Sequence, residues 1–138
     1  MKHSTMMTVS SLLSILLFSI HVTDDVVRGI DRVGPQSVFG FLIMVVWLYG
    51  ALVLAERRSG LIILLLGGIL AAGVPMLHFS GALVSSREFA RSPGAFLFIW
   101  TLWALGVTGM LSVVLATQGL WSLRRGSKTP EASPAVSD

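Results

Sequence analysis

The residues with the clearest chemical potential in this sequence are two histidines and two aspartates at the ends of apolar segments. His21 closes the first apolar segment and is followed by Asp24 and Asp25, and His78 closes the third segment. On a helix, residues spaced i, i+3 and i+4 project from one face. Imidazole and carboxylate groups are ligands for zinc, manganese and iron. One interpretation of this spacing is therefore a divalent metal site formed by His21, Asp24, Asp25 and His78.

The same residues allow two other interpretations. The first, which the sequence favours, is a polar cluster at the membrane interface in which the aspartates pair with Arg28 and Arg32. Asp24 and Arg28 stand at i and i+4, the favourable order for a helical ion pair. The second is a haem with one axial histidine from each segment. The third histidine, His3, precedes the first segment and falls on the opposite side. The favoured interpretation is the polar cluster, which requires no cofactor. A divalent metal or a haem is the alternative.

The composition is that of a membrane protein. The chain has 138 residues, of which 54% are hydrophobic and only 12% charged, whereas a soluble domain carries about 25% charged residues. The absence of cysteine excludes disulfides, thiolate nucleophiles and cysteine-bound metal centres. The net charge is only +3, and the cations lie at segment ends and near the carboxyl terminus. This placement favours the lipid bilayer as a partner and argues against nucleic acid.

Four apolar segments are long enough, or nearly so, to cross a bilayer as helices. They cover about residues 6–22, 37–55, 60–78 and 94–121. Because lipid offers the backbone no hydrogen-bond partners, such segments must be helical. The predicted fold is an all-α, four-helix transmembrane bundle over residues 1–121. Residues 122–138 contain few apolar side chains and are expected to form a disordered cytoplasmic tail.

The connections and the cation distribution predict further detail. Residues 21–35 form an amphipathic pattern ended by Gly34 and Pro35, and Ser85 with Glu88 forms a capping box for a second short helix. Both short helices should cover the far side of the bundle. Lys and Arg residues near the segment ends are more numerous on the side of the two termini, which predicts an inner cell membrane protein with both termini cytoplasmic. Trp121 should then anchor the inner interface beside the basic residues that follow it.

Small and hydroxylated side chains indicate which faces turn inward. Counting back from His21 by helical spacing gives Ser14 and Ser10, and a similar count from His78 gives Ala71 and Gly67. Small residues allow close helix packing, so both histidines should face the interior. The sequence does not determine whether His21 and His78 are in contact with each other. The fourth segment carries three hydroxyl groups, those of Thr101, Thr108 and Ser112. We expect them to form interhelical hydrogen bonds rather than to line, together with tryptophans, a binding slot for a lipid tail or a quinone.

Three stretches of the chain carry a family resemblance. They are residues 21–29 (HVTDDVVRG), residues 46–50 (VWLYG) with 54–60 (LAERRSG), and residues 121–126 (WSLRRG). With them the chain resembles small four-span integral membrane proteins of bacteria. The resemblance implies a multi-pass protein in a bacterial membrane, and it implies no activity, cofactor or residue role.

The function predicted from the sequence rests mainly on missing motifs. There is no Walker loop, G-x-S-x-G, HExxH or dinucleotide fingerprint. No ionisable residue lies in the middle of a segment, which argues against proton-coupled export. We therefore expect a non-enzymatic accessory protein that interacts with lipid or protein partners or forms a homo-oligomer. The alternatives are the far-side metal or haem site and passive permeation of a small neutral solute.

Overall fold

The structure, a computed structural model, describes residues 3–29, 34–79 and 94–126. Within these ranges it contains four α-helices and no strand: α1 (His3–Val27), α2 (Pro35–Leu52), α3 (Arg58–Phe79) and α4 (Ala95–Gly126). The predicted all-α class is confirmed. Three helices, α1, α3 and α4, are long and apolar enough to cross a membrane. The apolar part of α2, Val38–Leu52, is shorter.

The first helix runs through His21 and continues without a break to Val27, so the first of the two expected short helices is, as far as Val27, a continuation of α1. It ends earlier than the expected stop at Gly34 and Pro35. The backbone of Gly29 has a φ of +70°, and its N–H donates to the carbonyl of Val26 at 3.0 Å. Only glycine adopts this conformation at little cost, so it ends the helix here. The second predicted short helix, with Ser85 and Glu88, lies outside the described residues.

The last helix is longer than the fourth apolar segment. It continues past Trp121 to Gly126, so residues 122–126, which the sequence assigned to the tail, are helical. The guanidinium of Arg125 lies 3.8 Å above the indole of Trp121, and the hydroxyl of Ser122 donates to the carbonyl of Gly119 at 2.8 Å. The contact between Arg125 and Trp121 stabilises the last turns, because side chains four positions apart are neighbours on the helix surface. The expected proximity of Trp121 to the basic residues is confirmed.

Small residues bring α3 and α4 together. A Cβ atom placed at Gly109 of α4 would lie 2.8 Å from the Cβ of Ala71 and 2.9 Å from the carbonyl oxygen of Gly68. The two helices therefore pack backbone to backbone at this point, as predicted from the small residues of α3. The first helix is joined to α4 by Ser10, whose hydroxyl lies 3.0 Å from that of Ser112. Ser10 and Ser14 are both buried, which confirms the predicted inward face of α1.

The tryptophans do not form a common slot. Trp47 of α2 is 1% exposed, and its indole occupies the space that a side chain at Gly67 of α3 would need. Trp100 and Trp103 of α4 are 61% and 59% exposed. Large apolar side chains also cover the outside of α2 and much of the other helices. Such a surface is stable against lipid and unfavourable against water.

Candidate metal centre

Three helices meet at the end of the bundle where the two histidines lie. His21 and Asp25 come from the last two turns of α1, His78 from the last turn of α3, and Phe98 from the first turn of α4. The ring centroids of His21 and His78 are 4.6 Å apart, with the planes at 76°. The two histidines that the sequence placed at one end of the molecule are therefore in direct contact.

One carboxylate oxygen lies between the two imidazoles. Asp25 Oδ2 is 3.4 Å from His21 Nε2 and 3.3 Å from His78 Nε2. One potential ligand atom from each of the three residues falls within 4.8 Å of the others. Ligands bound tetrahedrally to one zinc ion at about 2.0–2.1 Å are separated from each other by about 3.3 Å. The two measured distances match this separation, so the three side chains are close to the positions that one ion requires.

The hydrogen bonding of His78 determines which of its nitrogens is available. Its Nδ1 lies 3.0 Å from the carbonyl oxygen of Val74. Because a carbonyl can only accept, Nδ1 must carry the proton. In the neutral ring, Nε2 of His78 then has a lone pair that points towards the carboxylate of Asp25. Both this nitrogen and the carboxylate oxygen are acceptors, so their contact is repulsive. A cation between them removes this repulsion, and metal-binding histidines commonly hold their second N–H on a backbone carbonyl in this way.

The other two members of the cluster contain buried polar atoms without partners. His21 is 1% exposed and Asp25 is 8% exposed. Neither ring nitrogen of His21 forms a hydrogen bond, nor does Asp25 Oδ1. The 3.4 Å approach of His21 to Asp25 lacks hydrogen-bond alignment. Burying such atoms without partners is costly, and an unsatisfied native polar group often marks an ion or water that binds there.

Asp24 lies apart from this cluster. Its Oδ2 accepts a 2.7 Å hydrogen bond from Nε of Arg28, which confirms the predicted i, i+4 ion pair. Successive residues of a helix are rotated by about 100°, so Asp24 and Asp25 cannot both face His21 equally. Of the four predicted site residues, the structure brings together His21, Asp25 and His78.

Phe98 is a member of the site that the sequence did not indicate. Its ring centroid is 5.1 Å from that of His21 and 5.7 Å from that of His78. The guanidinium of Arg28 lies 5.5 Å from the same ring. Phe98 thus contacts both imidazoles and the guanidinium of Arg28, and its ring forms an apolar wall for the His–Asp–His cluster. No local signal distinguishes this phenylalanine from the other apolar residues of the fourth segment.

Comparisons with known proteins provide no relative: no family model matches the chain, and no curated protein or solved structure does. The fold and the cluster define a class, an all-α protein with three helices able to span a membrane and a His–Asp–His group at one end. Its function must be argued from the chemistry of that group, since a fold alone does not determine function.

Proposed function

We propose that the protein is a four-span integral membrane protein that binds one divalent transition-metal ion through His21, Asp25 and His78. The observation that carries this proposal is the convergence of three ligand groups from two helices, of which His21 and Asp25 hold buried atoms without hydrogen-bond partners. Zinc is the preferred ion because the two separations of Asp25 Oδ2 from the imidazoles, 3.4 and 3.3 Å, match tetrahedral coordination. Three protein ligands leave a fourth position for water or another ligand.

The connectivity of the other helices supports a membrane crossing by α2. The contact of His21 with His78 places the carboxyl ends of α1 and α3 at the same end of the bundle. The chain must therefore return to the opposite end between them, and α2 is the helix that makes this return. Its 18 residues extend about 27 Å, and its apolar part, Val38–Leu52, extends about 22 Å, against a bilayer core of about 30 Å. Four crossings would place both termini on one side.

The orientation is the part of the proposal that the cation distribution supports. With both termini in the cytoplasm and the protein in the inner membrane, the metal centre faces the outer side. A reporter that is active only in the cytoplasm should show activity when fused after Asp138, and a reporter that is active only outside the cytoplasm should not. Activity of an external marker at the same position would reverse the orientation and would place the metal centre on the cytoplasmic side.

A metal ion explains the cluster better than a haem or a shared proton does. A haem with two axial histidines lies between their rings, whereas the rings of His21 and His78 touch each other edge to face. A proton joins only two of the three ligand groups. An ion joins all three, and the N–H of His78 that donates to Val74 already has the arrangement found around bound metals.

An ion at this position would tie the end of α1 to the end of α3. This role is compatible with the non-enzymatic accessory function that the sequence favours. In a complex or a homo-oligomer, a partner side chain can supply the fourth ligand, and the metal centre would then be part of the interface. With water as the fourth ligand, the same centre has the ligand number of catalytic zinc sites.

The test is the metal content of the protein purified in mild detergent, measured together with its absorption spectrum. We expect about one zinc or similar ion per chain, and no haem band. His21→Gln and His78→Gln should each abolish stoichiometric metal, while His3→Gln, which removes a histidine outside the cluster, should retain it. A strong haem band would show that the ligand is a haem and would contradict the proposal of a single metal ion. Wild-type protein that neither carries nor takes up added zinc would refute the proposal.

A further inference from the structure

A polar crevice lies at the opposite end of the bundle from the histidines. It has a volume of about 490 Å³ and is formed by the first turns of α1, the end of α2 and the turn that leads into α3. The residues of interest in its lining are Ser4, Thr5, Thr8, Glu56 and Arg57. In a four-span protein this end of the helices lies where the hydrocarbon core gives way to lipid headgroups.

Like that of the buried Ser11, the hydroxyl of Thr8 makes none of the bonds that several other hydroxyl groups form within their own helix. Ser14, Thr23 and Thr117 each donate to the carbonyl four residues earlier in their own helix, at 2.7–3.0 Å. Thr8 has the corresponding carbonyl of Ser4 within α1, yet it forms no hydrogen bond among the described residues. A free hydroxyl that faces a crevice is available to a ligand oxygen or ammonium group.

The two charges of the crevice are also available. Glu56 and Arg57 are adjacent and exposed, and neither takes part in an ion pair within the described residues. One cation and one anion side by side complement a ligand that itself carries both charges. A guanidinium binds phosphate oxygens well, and a carboxylate accepts hydrogen bonds from an ammonium group.

We propose that this crevice binds the headgroup of a phosphatidylethanolamine-type phospholipid. Arg57 binds the phosphate, Glu56 accepts hydrogen bonds from the primary ammonium group, and Thr8 adds a hydroxyl contact. Val9, Leu52 and Val53, which also line the crevice, provide an apolar border against which the acyl chains can lie. The site is independent of the metal centre, because it uses other residues at the other end of the helices.

The test is native mass spectrometry of the purified full chain with defined lipids. Phosphatidylethanolamine should be retained more strongly than phosphatidylcholine, whose quaternary ammonium cannot donate hydrogen bonds, and more strongly than phosphatidylglycerol, which has no ammonium group. Arg57→Gln should reduce retention about tenfold, as expected for one charge-assisted hydrogen bond. Arg58→Gln removes the neighbouring exposed cation, which does not line the crevice, and should leave retention unchanged.

Two further variants make the result decisive. Glu56→Gln should abolish the preference for ethanolamine over choline headgroups, while the binding of the phosphate by Arg57 should be unchanged. Thr8→Val keeps the shape of the side chain, removes its hydroxyl and should weaken retention even if the charge variants are unstable. Equal retention of all three lipids, or equal losses for the Arg57 and Arg58 variants, would overturn the proposal, because either result indicates general attraction between cations and lipid.

Discussion

Replacement of Asp25 by asparagine tests the proposed metal centre most directly, since it changes a proposed ligand and hardly changes shape. The carboxylate oxygen lies 3.4 and 3.3 Å from the two imidazoles, so its charge would contribute to binding of a cation. Removal of an outer-shell partner alone weakens metal binding about 10- to 100-fold. We expect the loss of a ligand carboxylate in the Asp25→Asn variant to reach at least the upper end of that range.

The expected change in stability follows from linkage between binding and folding. At a free zinc concentration 100 times the wild-type dissociation constant, binding stabilises the folded protein by about 2.7 kcal/mol. With a 100-fold weaker site, the same zinc concentration stabilises it by only about 0.4 kcal/mol. Zinc should therefore raise the melting temperature of the wild type by several degrees and that of the Asp25→Asn variant very little. The metal-free proteins should be similarly stable, because the variant no longer buries an incompletely paired carboxylate.

The assay is thermal unfolding in detergent with and without zinc, after chelation and dialysis. Asp24→Asn is the matched control, since it removes the neighbouring carboxylate and its pair with Arg28 but no member of the cluster. The control should keep the wild-type response to zinc. If Asp25→Asn strongly destabilised the metal-free protein and the wild type showed no response to zinc, Asp25 would be an ion-pair partner of the histidines, and the reasoning would be refuted.

Further predictions concern the packing that positions the site. Gly109→Ala places a Cβ atom 2.6 Å from the backbone nitrogen of Ala72 and should lower the free energy of unfolding by about 1–3 kcal/mol. Gly73→Ala is the control, because its new Cβ atom would have no neighbour within 4 Å; it should be neutral or stabilising by up to about 1 kcal/mol. Equal effects of the Gly109 and Gly73 variants would show that α3 and α4 do not pack closely. Ser10→Ala removes both interhelical hydrogen bonds of Ser10, to Thr108 and Ser112 of α4, and should cost about 0.6 kcal/mol for each bond in unfolding measurements. Thr117→Val, which removes only a bond within α4, should cost less.

Local features of this protein were predictable because they depend on residues a few positions apart. The ion pair of Asp24 with Arg28 follows from i, i+4 spacing, and the burial of Ser10 and Ser14 follows from their position on one helical face. Helix ends were less predictable. The sequence pattern predicts a stop at Gly34 and Pro35, and only the backbone conformation of Gly29 shows that α1 ends earlier.

The amino-acid sequence by itself determined the class of protein and the residues worth considering for chemistry. Long apolar segments without charges dictate helices, because the backbone in lipid must bond to itself, and polar residues at their ends are few enough to name. Only the tertiary structure decided that His21 and His78 touch, that Asp25 joins them while Asp24 does not, and that Phe98 covers the group. These relationships depend on the rotation and depth of each helix. Both are set by contacts between distant segments, such as Gly109 against Ala71, which no local spacing encodes.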